Sequence, residues 1–218
     1  MKYKVLLFDF DGTLVDSMPI FVGVMLRILD ENNIAYAEDI VKTITPLGYG
    51  GTANYFIQLG LNLPQHEIIN KMYQYAKPDY ELRIPAKEYV ISVLKLLRSK
   101  GCSLNVLTAS PHEILDPCLR RLGIYDLFTN VWSCDDFDTT KADPEIYQRA
   151  AERLGVPIRE LLFLDDNYHA DLSAKKAGAA VCGVYDLSSA ESEDDIRAIS
   201  DYYIRDFSEL LEWNEQTG

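Results

Sequence analysis

Short apolar runs recur along the chain, at Val5 to Phe8, Leu104 to Leu107, Leu161 to Leu164 and Ala180 to Val184, with a weaker one around Val131. Each is bounded by polar or turn residues, which is the signature of a buried strand. Between them, Val90, Val93, Leu94 and Leu97, and again Ile146, Tyr147, Ala150 and Leu154, repeat at helical spacing. Strand alternating with helix predicts an α/β fold, a Rossmann-like parallel sheet core with helices on both faces.

One stretch breaks the alternation. Residues 17–82 read as helical, with pieces at Ile20 to Leu29, Tyr55 to Leu59 and Glu67 to Tyr75 separated by turn signals at Asn32-Asn33, Pro46 to Gly51 and Asn62 to Pro64. That is too long for a crossover connection. It predicts an inserted all-helical cap domain, residues 17–82, within a core made of 1–16 and 83–218. Residues 186–195 read as a short acidic, serine-rich loop.

In an open parallel sheet, ligands bind beyond the carboxyl ends of the strands, so the residues following each run hold the candidate chemistry. These are Asp9 and Asp11, then Thr108-Ala109-Ser110, then Lys141, then Asp165-Asp166. Asp9 and Asp11 are two apart, so an extended backbone projects both to one side. Two carboxylates there repel, and a hard divalent cation resolves the conflict; with Asp165 and Asp166 the oxygen set suits Mg2+. Gly12 permits a sharp turn. Ser110-Pro111-His112-Glu113 has the pattern of a capping box with proline first in the helix. An anion at that helix start would meet the Thr108 hydroxyl and backbone N–H groups. Pro117 is expected to kink or break the same helix. Asp143 and Pro144 predict an N-cap and first helical residue, with a stop at Gly155, leaving Lys141 in a loop above the sheet.

Composition adds limits rather than new chemistry. At 218 residues, 48% apolar and 25% charged, the chain has ordinary globular usage and room for one or two domains. Its 34 acidic against 21 basic residues give a formal charge of -13. That repels a nucleic-acid backbone, and it obliges any phosphate-bearing substrate to find positive charge locally. Cys102, Cys118, Cys134 and Cys182 lie in apolar stretches with no C-x-x-C pair, and the amino-terminal apolar run is too short for a signal segment or a membrane span. A cytoplasmic protein without membrane association is expected.

These residues resemble the haloacid dehalogenase superfamily, in its phosphatase branch with a small helical cap, and most resemble phosphoglycolate-phosphatase-type members. The resemblance is carried by DFDGTLVDS from Asp9, LTAS ending at Ser110, KADPEIYQRAAERLG from Lys141 and LFLDDNYHADLSAKKAGA from Leu162. It implies a two-step phosphoryl transfer to water through an aspartyl-phosphate on Asp9. It also implies that Asp11 serves as general acid and then base, and that Thr108 and Lys141 hold the phosphoryl oxygens. Asp9, the backbone carbonyl of Asp11, and Asp166 would ligate magnesium, with Asp165 acting directly or through water. Two departures stand out: Ala170 where relatives often carry an acid, followed by Asp171, and Ala109 where many carry asparagine or serine. The segment from Thr45 to Thr52 reads as a glycine-rich loop of the cap, with Gly48 and Tyr49 as candidate substrate contacts. Tyr168 and His169 read as exposed turn residues.

The implied substrate is a small phosphorylated metabolite, of the phosphoglycolate or sugar phosphate class, and the implied assembly a monomer or homodimer. A β-phosphoglucomutase-type phosphomutase shares the same residues and differs in returning the phosphoryl group to a sugar. A receiver-like phospho-acceptor module gathers similar aspartates and a lysine but has no use for the inserted segment. Dehalogenation does not call for Asp11 or the second acidic pair.

Overall fold

The run Val5–Phe8 forms β1, a central strand of the sheet in the computed structural model, which describes residues 2–44 and 47–216. Parallel to it lie β2 (Ser103–Thr108), β3 (Asn130–Ser133), β4 (Leu161–Asp165), β5 (Ala180–Val184) and β6 (Tyr202–Ile204). Their order is β3-β2-β1-β4-β5-β6, with Leu7 opposite Asn105 on one side and Phe163 on the other. The helices are α1 (Met18–Glu31), α2 (Ile40–Ile44), α3 (Gly48–Gln58), α4 (Gln65–Leu82), α5 (Val90–Ser99), α6 (His112–Arg121), α7 (Glu145–Leu154), α8 (Tyr168–Ala177), α9 (Glu193–Ile199) and α10 (Phe207–Gln216). Among the described residues, no helix is long and apolar enough to cross a membrane.

Strand side chains alternate between two buried faces, which explains why the runs are apolar throughout rather than at every second residue. Leu7, Leu107, Phe163 and Val181 pack with Ile146, Tyr147 and Ala150 of α7 and with Ala170 and Ala174 of α8. On the other face Phe8 stacks on Phe207 of α10, with ring centres 6.2 Å apart, and meets Phe128 edge-on. All four cysteines are buried free thiols, used as small apolar residues. The sixth strand, Tyr-Tyr-Ile, is too short to register as an apolar run.

The chain divides into two compact units, Met1–Asp16 with Pro85–Gly218, and Ser17–Ile84. The first contains the sheet. The second contains α1 to α4, whose core includes Met25, Ile28, Phe56, Ile68, Met72 and Tyr80.

Several local expectations need correction. The glycine-rich stretch is not a loop: Gly48, Tyr49, Gly50 and Gly51 open α3, while Thr45 and Pro46 lie outside the described residues. Buried Thr52, Ala53 and Phe56 hold this helix in place, and tertiary packing outweighs the glycines' poor helix propensity. A Cβ on Gly51 would come within 2.9 Å of the Leu47 Cβ, so the small residue also admits the helix entry. Pro117 does not break α6, which runs on to Arg121 because Ile114, Leu115, Cys118 and Leu119 are all buried. Residues 186–195 are not a loop either: a 3-10 helix spans Leu187–Ser192, and Glu193, Asp194 and Asp195 form the first turn of α9, where the helix dipole favours acids.

Gly183 in β5 lies where α9 and β6 converge: a Cβ there would meet Ile196 Cγ2 at 2.5 Å and Tyr203 Cδ2 at 2.9 Å. Gly183→Ala is expected to cost about 1–3 kcal/mol by overpacking, read as a lowered urea midpoint. An unchanged midpoint would show that α9 yields freely.

Candidate active site

The sheet places its acids at the carboxyl ends of two adjacent strands. Asp9 follows β1 directly and its N–H still donates to Leu164 O of β4, at 2.8 Å, so the strand geometry carries one residue past the apolar run. Asp165 ends β4 and Asp166 follows it. Carboxylate oxygens of Asp9, Asp165 and Asp166 lie within 4.8 Å of one another, and all three residues are buried.

Lys141 is the cation among them. Its Nζ lies 2.7 Å from Asp9 Oδ1 and 2.7 Å from Asp165 Oδ2, with its side chain 14% exposed. Burial works against this ammonium, but Asp165 and Asp9 outweigh it and hold its pKa well above the usual lysine value. The lysine stands ahead of α7, where Asp143 Oδ1 accepts from Glu145 N at 3.0 Å and Pro144 is the N-cap residue, one position from the expected boundary. Gly155, left-handed at φ 69°, ends that helix as expected. The Tyr147 hydroxyl sits 3.0 Å from Lys141 O and 3.1 Å from Ala170 O, tying the lysine's loop to α8.

The turn after Asp9 is held by Leu14 N and Val15 N donating to Phe10 O, and by Gly12 N donating to Val15 O. Gly12 adopts φ +74°, and a Cβ on it would fall 2.6 Å from Asp166 Oδ2. Both facts require glycine. Buried Thr13 donates from Oγ1 to Asp166 Oδ1 at 3.1 Å.

A second contact group forms around Asp11. Ser110 Oγ donates to Asp11 Oδ2 at 2.5 Å, and Ser110 N donates to Thr108 Oγ1 at 3.1 Å, leaving the Thr108 hydroxyl proton to be donated elsewhere. The expected capping box is therefore not made: Pro111 is the N-cap of α6, without a side-chain cap, and Ser110 serves Asp11 instead. Ala109 between them is exposed.

Asn167 was not among the candidates, yet its Oδ1 accepts from His169 N and Ala170 N and caps α8 directly after the acidic pair. Its position before a helical segment was a legible signal. Tyr147 gave no such signal. Tyr168 and His169 fill the first turn of α8. Gly48 and Tyr49 belong to the helical unit, where the Tyr49 ring packs between Phe21 and Tyr73, with ring centres 4.9 and 4.6 Å away.

Burial and the neighbouring negative charge of Asp9 raise the Asp165 pKa to about 7, against the opposing pull of Lys141. Asp166 is also raised well above the usual carboxylate value, by burial and then by Asp165, Asp9 and Asp186, with Lys87 opposing. Asp171, fully buried with neither carboxylate oxygen hydrogen-bonded among the described residues, is raised by burial and then by Asp165 and Asp166. Asp9, Asp165 and Asp166, the first two paired with the Lys141 ammonium, form a hard-oxygen set that could hold a divalent cation.

Residues 3–178 match the haloacid dehalogenase-like hydrolase family, and the chain belongs to it. It is 28% identical over 212 residues to the pyrophosphatase PpaX of Bacillus velezensis, covering 96% of this chain and 95% of that one. It is also 28% identical to the phosphoglycolate phosphatase of Escherichia coli strain K12, covering 86% and 83%. The crystal structure of CbbY from Rhodobacter sphaeroides in complex with xylulose-(1,5)bisphosphate has the same fold, with a TM-score of 0.82 at 19% identity over 95% of this chain and 96% of that one.

A raised folded-state pKa means the native protein binds more protons than the unfolded chain. The contribution of Asp165 to stability is then full below 3.8 and lost as pH rises through about 7. Metal-free protein is expected to melt at progressively lower temperature across that window, and Asp165→Asn to show a shallower fall. Superimposable melting curves for the two proteins would contradict the assignment.

Proposed function

We propose that this chain is a magnesium-dependent phosphatase acting on a small phosphomonoester, of the phosphoglycolate or sugar phosphate class, with Asp9 as nucleophile. The observation that carries the reading is the Lys141 ammonium, set 2.7 Å from both Asp9 and Asp165 at the strand ends. A carboxylate nucleophile and an incoming phosphate are both negative, and a fixed cation between them lowers the cost of their approach.

An Asp9 oxygen attacks phosphorus as the bond to the leaving oxygen breaks, and the Asp11 carboxyl gives its proton to that oxygen. Water then attacks the aspartyl-phosphate and passes a proton back to Asp11, releasing inorganic phosphate and regenerating the Asp9 carboxylate. The Ser110 hydroxyl on Asp11 Oδ2 orients that carboxyl group for both transfers. Thr108, with a hydroxyl proton to donate, and Lys141 hold phosphoryl oxygens.

Asp9, Asp166 and the backbone carbonyl of Asp11 would hold a magnesium ion, which supplies neutralising charge for the transferring group. Asp165, whose Oδ1 accepts from Asn167 N at 2.7 Å and whose Oδ2 accepts from Lys141, would act on the ion directly or through water. The helical unit serves as the cap and sets substrate choice.

Turnover of p-nitrophenyl phosphate is expected in the presence of Mg2+, to be abolished by EDTA, and to fall at least about a thousandfold in Asp9→Asn and in Asp11→Asn. Near-normal turnover by either variant would overturn the roles. A panel of phosphoglycolate, sugar phosphates and nucleotides identifies the substrate class by phosphate release. Isomerisation of a sugar 1-phosphate without net release would make the protein a phosphomutase.

A further inference from the structure

Lys87 lies outside every sequence motif, yet its ammonium is fully engaged. Nζ donates to Gly12 O at 2.6 Å and to Tyr185 O at 2.6 Å, and pairs with Asp186 Oδ2 at 3.0 Å. A lysine ammonium has three protons, and all three have acceptors here. The side chain is 18% exposed and that of its partner Asp186 is 6% exposed.

The backbone of the same residue grips the same turn. Lys87 N donates to Leu14 O at 3.0 Å, Asp16 N donates to Pro85 O at 3.0 Å, and Val15 and Ala86 form an antiparallel bridge. Lys87 therefore holds the turn after Asp9 at two points, Leu14 O through its amide and Gly12 O through its ammonium, and ties both to the exit of β5.

Gly12 O is the sensitive point. A trans peptide is planar, so fixing the direction of Gly12 C=O fixes the opposed Thr13 N–H and the plane from which Thr13 departs. Thr13 donates to Asp166 Oδ1, and the Gly12 Cα lies against the same carboxylate. Pulling on one carbonyl thus sets the position of one wall of the acidic site.

We propose that Lys87 is a positioning residue for the site: by clamping the Gly12 carbonyl to Tyr185 and Asp186 it holds the Gly12-Thr13 turn that orients Asp166. The proposal rests on the reading of Asp166 as a metal ligand given above. It predicts that loss of the ammonium loosens Asp166 and weakens cation binding without altering how the substrate's non-reacting part is held.

Lys87→Met alone leaves the Asp186 carboxylate buried and unpaired, which threatens folding. The test therefore includes Lys87→Met/Asp186→Asn, which removes both charges and keeps the Oδ1 acceptor that Ser188 N uses. Four quantities are measured on wild type and both variants: the urea midpoint, Mn2+ affinity by electron paramagnetic resonance, and kcat and KM for p-nitrophenyl phosphate. The folded double variant is expected to bind Mn2+ about tenfold more weakly, with kcat about tenfold lower and KM within about twofold, the scale at which residues behind metal ligands act. A folded double variant with wild-type Mn2+ affinity and kcat overturns the proposal. A wild-type protein that binds Mn2+ but hydrolyses no phosphomonoester would sink the phosphatase reading alone, and the Mn2+ comparison would still decide Lys87.

Discussion

Three buried carboxylates share the space at the ends of β1 and β4, and the architecture around them answers the repulsion this creates. Asp9, Asp165 and Asp166 approach within 4.8 Å, a distance at which like charges in a poorly solvated pocket strongly disfavour full ionisation. Lys141 offsets part of it by pairing with two of the three. The loop that carries Lys141 is pinned by Tyr147 to the backbone of α8, so the cation and the acids are mounted on the same buried scaffold. Burial first, and then the neighbouring negative charge that the lysine leaves unresolved, raise the pKa values of Asp165 and Asp166.

That scaffold works because the sheet is parallel and covered on both faces. Adjacent strands deliver Asp9 and Asp165 side by side at one edge, and strand pairing that continues through Asp9 N to Leu164 O keeps them in register. Beyond the edge the chain must turn at once. Gly12 makes that turn possible, since its left-handed backbone and missing Cβ leave the space that the Asp166 carboxylate fills. Lys87 then braces the turn from outside, linking it to the end of β5. The acids thus rest on three strands, although only two of these contribute them.

The places where pattern reading and structure part company share a cause. Glycines at 48, 50 and 51 have low helix propensity, and Pro117 interrupts a hydrogen-bond ladder, yet both segments are helical because their apolar neighbours are buried. Ser110 has the right spacing for a cap, but a carboxylate from a residue 99 positions away takes its hydroxyl. In each case tertiary contacts outweigh a local preference, worth about 1 kcal/mol for a glycine or a cap and about 3 kcal/mol for the proline.

Strand runs, helical periodicity and the acids after each run were legible because period and burial leave their mark on every residue of an element. From them follow the α/β class, the parallel sheet, and the identity of Asp9, Asp11, Asp165 and Asp166 as residues at strand ends and of Lys141 as a residue of a loop above the sheet. Only the folded chain decided which of them touch. It paired Lys141 with Asp9 and Asp165, gave Asp11 to Ser110, seated Thr13 on Asp166, and brought in Lys87, Tyr147 and Asp186, whose partners lie far away in sequence. Side-chain partnership between distant segments is set by strand order and loop path, and neither leaves a periodic trace in the residues themselves.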